Sequence, residues 1–202
     1  MRMAFGVLVA ALLLSLSLYA MPPDPSEVPV YDFSSVHESI WVAIVVDRSG
    51  SMQNLPIVRA RAQACATLGS LRSTAHFTLA SFGESGSSWR SDWTQASPAA
   101  IEAGSAWIDG LTVFGTTQPD AGIASALAAP APVADHTVVV LITDGDPDRG
   151  MNAAEGCITA AGDVPVFVLL VLRPDSPRAS TSRAWGRRVA EETNGDCQEI
   201  AP

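Results

Sequence analysis

The sequence predicts an α/β fold: a doubly wound, mostly parallel six-stranded sheet with helices on both faces. Three observations predict it. The runs 39–46, 136–143 and 164–172 are dominated by apolar residues and rich in Val and Ile, as strands buried on both faces must be. The segments between them repeat apolar residues at helical spacing. Strand and helix then alternate along the chain, the order that builds a parallel sheet through crossovers.

Element by element, 39–46 is the first buried strand. Ile57, Ala60, Ala64, Leu68 and Leu71 follow at steps of three and four and mark one face of a helix. The run 75–82 alternates more and reads as a strand nearer the edge. A helix over 99–111 carries Trp107 and Leu111 on one side. Pro119 suits the first position of a helix over 119–127, and Pro130 lies just past its end. The strand 136–143, a helix over 151–161, the strand 164–172 and a helix over 182–192 come next. Asn194-Gly195 stops that helix, and 197–200 closes the sheet.

The N-terminus is of a different kind. Arg2 precedes the uncharged run 3–20, the layout of a secretory signal. The run is also just long enough for an uncleaved membrane anchor, and both readings place the domain outside the cytoplasm, in the periplasm or beyond the cell. Residues 21–38 open with four prolines between Pro22 and Pro29 and read as a stiff spacer. The folded domain is then expected over 39–202.

Composition excludes several functions. The net charge is −9, which repels phosphate backbones and argues against a nucleic-acid partner. All 12 basic residues are arginine. Without lysine there is no phosphate-binding P-loop and no Schiff-base chemistry. The three cysteines, Cys65, Cys157 and Cys197, lack zinc spacing. Cys65 falls within a helical pattern, so Cys157 and Cys197 are the expected disulfide if one forms.

In doubly wound sheets, ligands bind beyond the carboxyl ends of strands where the strand order reverses. The loop after the first buried strand reads Asp47-Arg48-Ser49-Gly50-Ser51-Met52, with Gly50 expected to turn it sharply. The strand 136–143 runs into Thr143-Asp144-Gly145, and Phe114-Gly115-Thr116-Thr117-Gln118 leads into the third helix. Two carboxylates and several hydroxyls make a hard oxygen site of low negative charge, suited to Mg²⁺, with Mn²⁺ or Ca²⁺ as substitutes.

These segments resemble the von Willebrand factor A family, the integrin I-like domains, over about 39–200. The Asp-x-Ser-x-Ser signature stands at Asp47, Ser49 and Ser51, and Thr-Asp-Gly at Thr143-Asp144-Gly145. The Gly-Gly-Thr-Asn stretch appears altered, as Gly115-Thr116-Thr117-Gln118; Gly122 falls at the family's spacing when Thr117, rather than Thr116, is the metal threonine. The resemblance implies a metal-ion-dependent adhesion site formed by Asp47, Ser49, Ser51, Thr117 and Asp144, with Asp144 acting mostly through water. A Glu or Asp of a protein partner would complete the coordination.

The expected function is therefore an exported, metal-dependent protein-binding module and not an enzyme. The alternatives are a structural subunit of an envelope assembly with a vestigial site, and a phosphoryl-transfer enzyme using Asp47. Other residues carry two readings each. Arg48 faces either an acidic partner or solvent. Asp146 and Asp148 form either an acidic rim or a solvated turn. Trp89 and Trp93 share a face if they lie on one strand, giving an exposed aromatic patch or a lid over the core. His37, His76 and His136 lie near strand starts, away from the site, and take no role.

Overall fold

A computed structural model describes residues 31–36, 38–129, 131, 136–145, 152–173 and 175–200. The N-terminal run 1–20, the prolines of the spacer, His37, Pro130, Asp146 and Asp148 lie outside the described residues.

The sheet comprises β1 (Trp41–Asp47), β2 (His76–Phe82), β3 (Gly86–Ser88), β4 (Thr94–Gln95), β5 (Thr137–Thr143), β6 (Val166–Leu170) and β7 (Cys197–Glu199). The helices are α1 (Leu55–Gly69), α2 (Pro98–Asp109), α3 (Pro119–Ala126), α4 (Asn152–Ala161) and α5 (Ala179–Glu192). Prolines occupy the first turns of α1, α2 and α3, where a missing N–H costs no hydrogen bond. Ser97 also caps α2, its hydroxyl accepting from the Ala100 amide at 3.3 Å. At the far end of α5, Asn194 takes a left-handed φ of 59° and lets the Gly195 amide donate back to the Ala190 carbonyl at 2.8 Å.

The strand order is β3-β2-β1-β5-β6-β7, with β4 also paired to β2. Five strands are parallel, whereas β3 and β4 run antiparallel to β2. The sheet thus has seven strands, not six. At three and two residues, β3 and β4 are too short to show periodicity, and their Gly, Ser, Thr and Gln residues read as loop.

Two cores result from the period-2 alternation of strands buried on both sides. Val42, Ile44 and Val46 of β1 pack with α1 and α2, along with Val140 and Ile142 of β5. Ala43 and Val45 face the other way, with Val139 and Leu141, toward α3, α4 and α5. The first core also takes in Tyr31, assigned by the proline-rich pattern to the spacer. Its ring meets Phe167 edge-on at 5.2 Å, and its hydroxyl lies 3.1 Å from the Val168 carbonyl and 3.2 Å from that of Asp196.

Trp89 and Trp93 do not share a face. Trp89 stacks on Phe77 in the first core, with the Arg90 guanidinium 4.0 Å above its ring. Trp93 packs edge-on against Trp41 and borders the second core, its indole N–H donating to the Ala129 carbonyl at 2.9 Å. The chain bends between β3 and β4, so strand alternation does not connect the two rings. Each is a lid, and the shared aromatic patch is not formed.

The cysteines are free thiols. Cys157 is buried on α4 among the second core, whereas Cys197 sits on β7, its sulfur against Gly186 of α5. The expected Cys157–Cys197 bridge is replaced by two separate packing positions. Burial pushes both thiols up from the ordinary range. Among the described residues no helix is long and apolar enough to cross a membrane.

Candidate metal centre

The connection after β1 runs to β2 on one side, and β5 then pairs with β1 on the other. Strand order therefore reverses between β1 and β5. The register Val46↔Ile142 sets Asp47 beside Thr143 at the carboxyl ends of these two strands. Side chains from both following loops meet in the crevice there.

The first loop wraps Asp47. The Ser49 amide donates to Asp47 Oδ1 at 2.8 Å, and Gly50–Met52 form one 3-10 turn that brings Ser51 back over Ser49. Their hydroxyls lie 3.0 Å apart, and the Ser51 hydroxyl donates to Asp144 Oδ1 at 3.2 Å. Gly50 begins this turn without a left-handed φ, so the sharp turn does not depend on glycine's special conformation. Its amide donates to the Gly115 carbonyl at 2.9 Å, which ties the loop to the third segment.

The third segment docks on the first. Arg48 receives the Phe114 amide on its carbonyl at 2.7 Å. Gly115 takes a φ of 84°, a conformation side chains rarely adopt, and a Cβ would strike Glu84. This kink turns Thr117 inward, to 5 % exposure, while Thr116 remains exposed. Gly122 of α3 packs so closely that a Cβ would lie 2.7 Å from Phe82 and 2.8 Å from Val45. That contact fixes the start of α3, and Thr117 with it.

One supporting residue was not singled out in the sequence. The Thr143 hydroxyl donates to Asp47 Oδ2 at 2.6 Å and accepts from the Gly145 amide at 3.0 Å. Asp47 thus has both carboxylate oxygens held. The group is wholly buried, and burial first, then the nearby Asp144 carboxylate, pushes its pKa well above the ordinary carboxylate range. Bringing two carboxylates together in a buried crevice costs several kcal/mol per uncompensated ion.

The donor set meets the requirements of a small divalent cation. Asp47, Ser49, Ser51, Thr117 and Asp144 supply hard oxygens, and a cation among them would offset the carboxylate repulsion. The 3.0 and 3.2 Å hydrogen bonds of Ser51 to Ser49 and to Asp144 already bring three of these oxygens together. Among the described residues no cluster of three or more His, Cys, Asp or Glu could hold a metal, and His76 and His136 lie at the amino ends of their strands.

The profile of the von Willebrand factor type A domain matches residues 40–198. The chain belongs to this family. Its sequence is 27 % identical over 118 residues to the inter-alpha-trypsin inhibitor heavy chain H1 of Bos taurus. The match covers 54 % of this chain and 13 % of that protein. The Homo sapiens counterpart is 25 % identical over 119 residues, again spanning 13 % of its length. This von Willebrand factor A chain therefore matches a small part of its curated relatives. Among solved structures, a von Willebrand factor type A protein from Catenulispora acidiphila superposes with a TM-score of 0.67 at 16 % identity, covering 82 % of this chain and 39 % of the other. BatB from Bacteroides thetaiotaomicron gives 0.65 at 16 % identity, covering 80 % and 90 %. The pilus adhesin SpaC from Lactobacillus rhamnosus GG gives 0.65 at 14 % identity, covering 82 % and 28 %. At these identities the likeness is one of fold.

Proposed function

We propose that this von Willebrand factor A domain is an exported protein-binding module that captures an acidic residue of its partner through a divalent cation, Mg²⁺ foremost. The observation that carries this reading is the convergence of Asp47, Ser49, Ser51 and Asp144 at the β1/β5 switch point, with Thr117 buried in the segment that docks on the Arg48–Gly50 loop. Family membership supports an interaction module. The shared fold with a pilus adhesin and with a membrane protein of Bacteroides fragilis, together with the signal-like run 1–20, supports export.

When bound, the cation supplies an electrophilic docking point for an incoming carboxylate. The chain's own residues do the rest. Asp47 and Asp144 together match the cation's double charge, but with Asp144 acting mostly through water the cation would keep an open, electrophilic position and so affinity for one more carboxylate. Ser49, Ser51 and Thr117 add neutral oxygens without cancelling that affinity. Thr143 and the Ser49 amide hold Asp47 in place before any ligand arrives, which limits the ordering cost of binding. Phe114, 59 % exposed beside the crevice, offers the partner an apolar contact.

The test is a pull-down from envelope and secreted fractions with Mg²⁺ or with chelator, using wild type and Asp47→Ala. Capture that requires both Mg²⁺ and Asp47 supports the module. Capture indifferent to both would favour an assembly subunit with a vestigial site.

A further inference from the structure

Arg173 is the basic residue that the site's chemistry leaves unexplained. It follows β6, and its Nη2 donates to the carbonyls of Ser51 at 2.5 Å and Gln53 at 3.2 Å, across more than 100 residues of sequence. The guanidinium is thereby fixed against the loop that carries Ser51. Arg183 and Arg188 instead give their guanidinium groups to Glu199 and Glu192. Among the described residues no carboxylate lies within ion-pair distance of Arg173. Its charge thus stands at the rim of the candidate centre, held by the Ser51 and Gln53 carbonyl dipoles.

A cleft of about 240 Å³ opens there. It is lined by Ser51 and Asp144 of the candidate centre and by Leu172, Arg173 and Arg178 of the segment after β6. Asp175, from the same segment, brings a negative charge to the lining. The volume falls below the usual range of small-molecule sites, about 300–1,000 Å³, and suits a side chain of a bound polypeptide. A guanidinium with an oriented fork is the preferred protein group for a carboxylate, and prior fixation lowers the ordering cost.

The geometry points to a second anion anchor: the Arg173 guanidinium, in the cleft beside Ser51 and Asp144, takes a second carboxylate of the same acidic partner segment whose first carboxylate meets the cation. The specificity is then for paired acidic residues, with Asp175 opposing the second one and setting how close it comes. This anchor rests on the proposed metal-dependent capture, and its test separates the two.

The full chain is loaded with Mn²⁺ and titrated with acetyl-Glu-amide and with acetyl-Glu-Gly-Glu-amide. Water-proton relaxation reports carboxylate arrival at the ion, and calorimetry gives both affinities. The two-carboxylate peptide is expected to bind about tenfold tighter, beyond the roughly twofold gain that two equivalent carboxylates give by statistics. That ratio should fall to the statistical value in Arg173→Gln, whose amide can still donate to a carbonyl. It should rise in Asp175→Asn. The ratio cancels any change in ion affinity caused by the variants. Equal binding of both peptides by the Mn²⁺-loaded wild type, or a preference that survives Arg173→Gln, would overturn the second anchor alone. Failure to bind Mn²⁺ would overturn the metal reading and this anchor together.

Discussion

The hydroxyl of Thr143 donates a 2.6 Å hydrogen bond to Oδ2 of Asp47. It ties the ends of two neighbouring strands and fixes one face of the candidate centre. A hydrogen bond this short to a carboxylate is of the charge-assisted class. Thr143→Val keeps the shape and removes the donor. The variant should lose about 10–100-fold in Mn²⁺ affinity, as outer-shell supports of metal ligands do. Thr143→Ser, which keeps the hydroxyl, should restore most of it. Calorimetric titration of Mn²⁺ into the three proteins decides this.

Asp47 also sets a pH dependence. Burial and the Asp144 carboxylate raise its pKa in the folded state. A carboxyl with a raised folded pKa binds its proton more tightly in the native state, so stability falls as pH rises from about 4 toward neutrality. Without divalent cation, Asp47→Asn should remove this slope and melt above wild type at pH 7. Saturating Mg²⁺ should raise wild type and leave Asp47→Asn unmoved. Melting curves across pH 4–8 with and without cation check the sign.

Gly122 should tolerate no side chain. Gly122→Ala places a methyl group against Phe82 and Val45 at sub-van der Waals distance. Overpacking of this kind costs about 1–3 kcal/mol. Because α3 begins two residues after Thr117, cation affinity should fall as well. Urea unfolding and Mn²⁺ titration of this variant report the two effects separately.

Much of the site was legible because its residues sit next to each other in sequence or at strand ends. Asp47, Ser49 and Ser51 follow one apolar run, and Asp144 another, so topology alone brings them together. Thr117 was legible through its distance to Gly122, and the structure turns Thr117 inward and Thr116 outward. What periodicity could not show was anything depending on tertiary approach. Thr143 is legible as a strand end and as part of the Thr-Asp-Gly segment, but its role shows only when the register places its hydroxyl beside Asp47. The edge strands β3 and β4 carry too few residues for any pattern, so the opposite facing of Trp89 and Trp93 was hidden too.

Those two tryptophans yield a further expectation. They border different cores, so the destabilisation of Trp89→Ala and Trp93→Ala should add to within about 0.5 kcal/mol in the double variant. Neither should alter Mn²⁺ affinity. A coupling well above that value in urea unfolding would mean the rings act as one cluster.

The free cysteines can be counted chemically. Under denaturing, non-reducing conditions, a thiol reagent should label Cys65, Cys157 and Cys197 in the full chain. Native protein should protect Cys157, which is fully buried. Labelling of Cys65 alone after denaturation would show a Cys157–Cys197 bridge instead.

The central claim is that the β1/β5 crevice binds a divalent cation through Asp47. Its most direct test is the melting temperature of wild type and Asp47→Ala as Mg²⁺, Mn²⁺ and Ca²⁺ are titrated. Binding to the folded state alone stabilises by mass action, about 2.7 kcal/mol at one hundred times the dissociation constant. Wild type should show a saturable rise, stronger for Mg²⁺ and Mn²⁺ than for Ca²⁺, and Asp47→Ala should show none. A wild type whose melting temperature ignores all three ions, or a variant that rises with it, would contradict the claim.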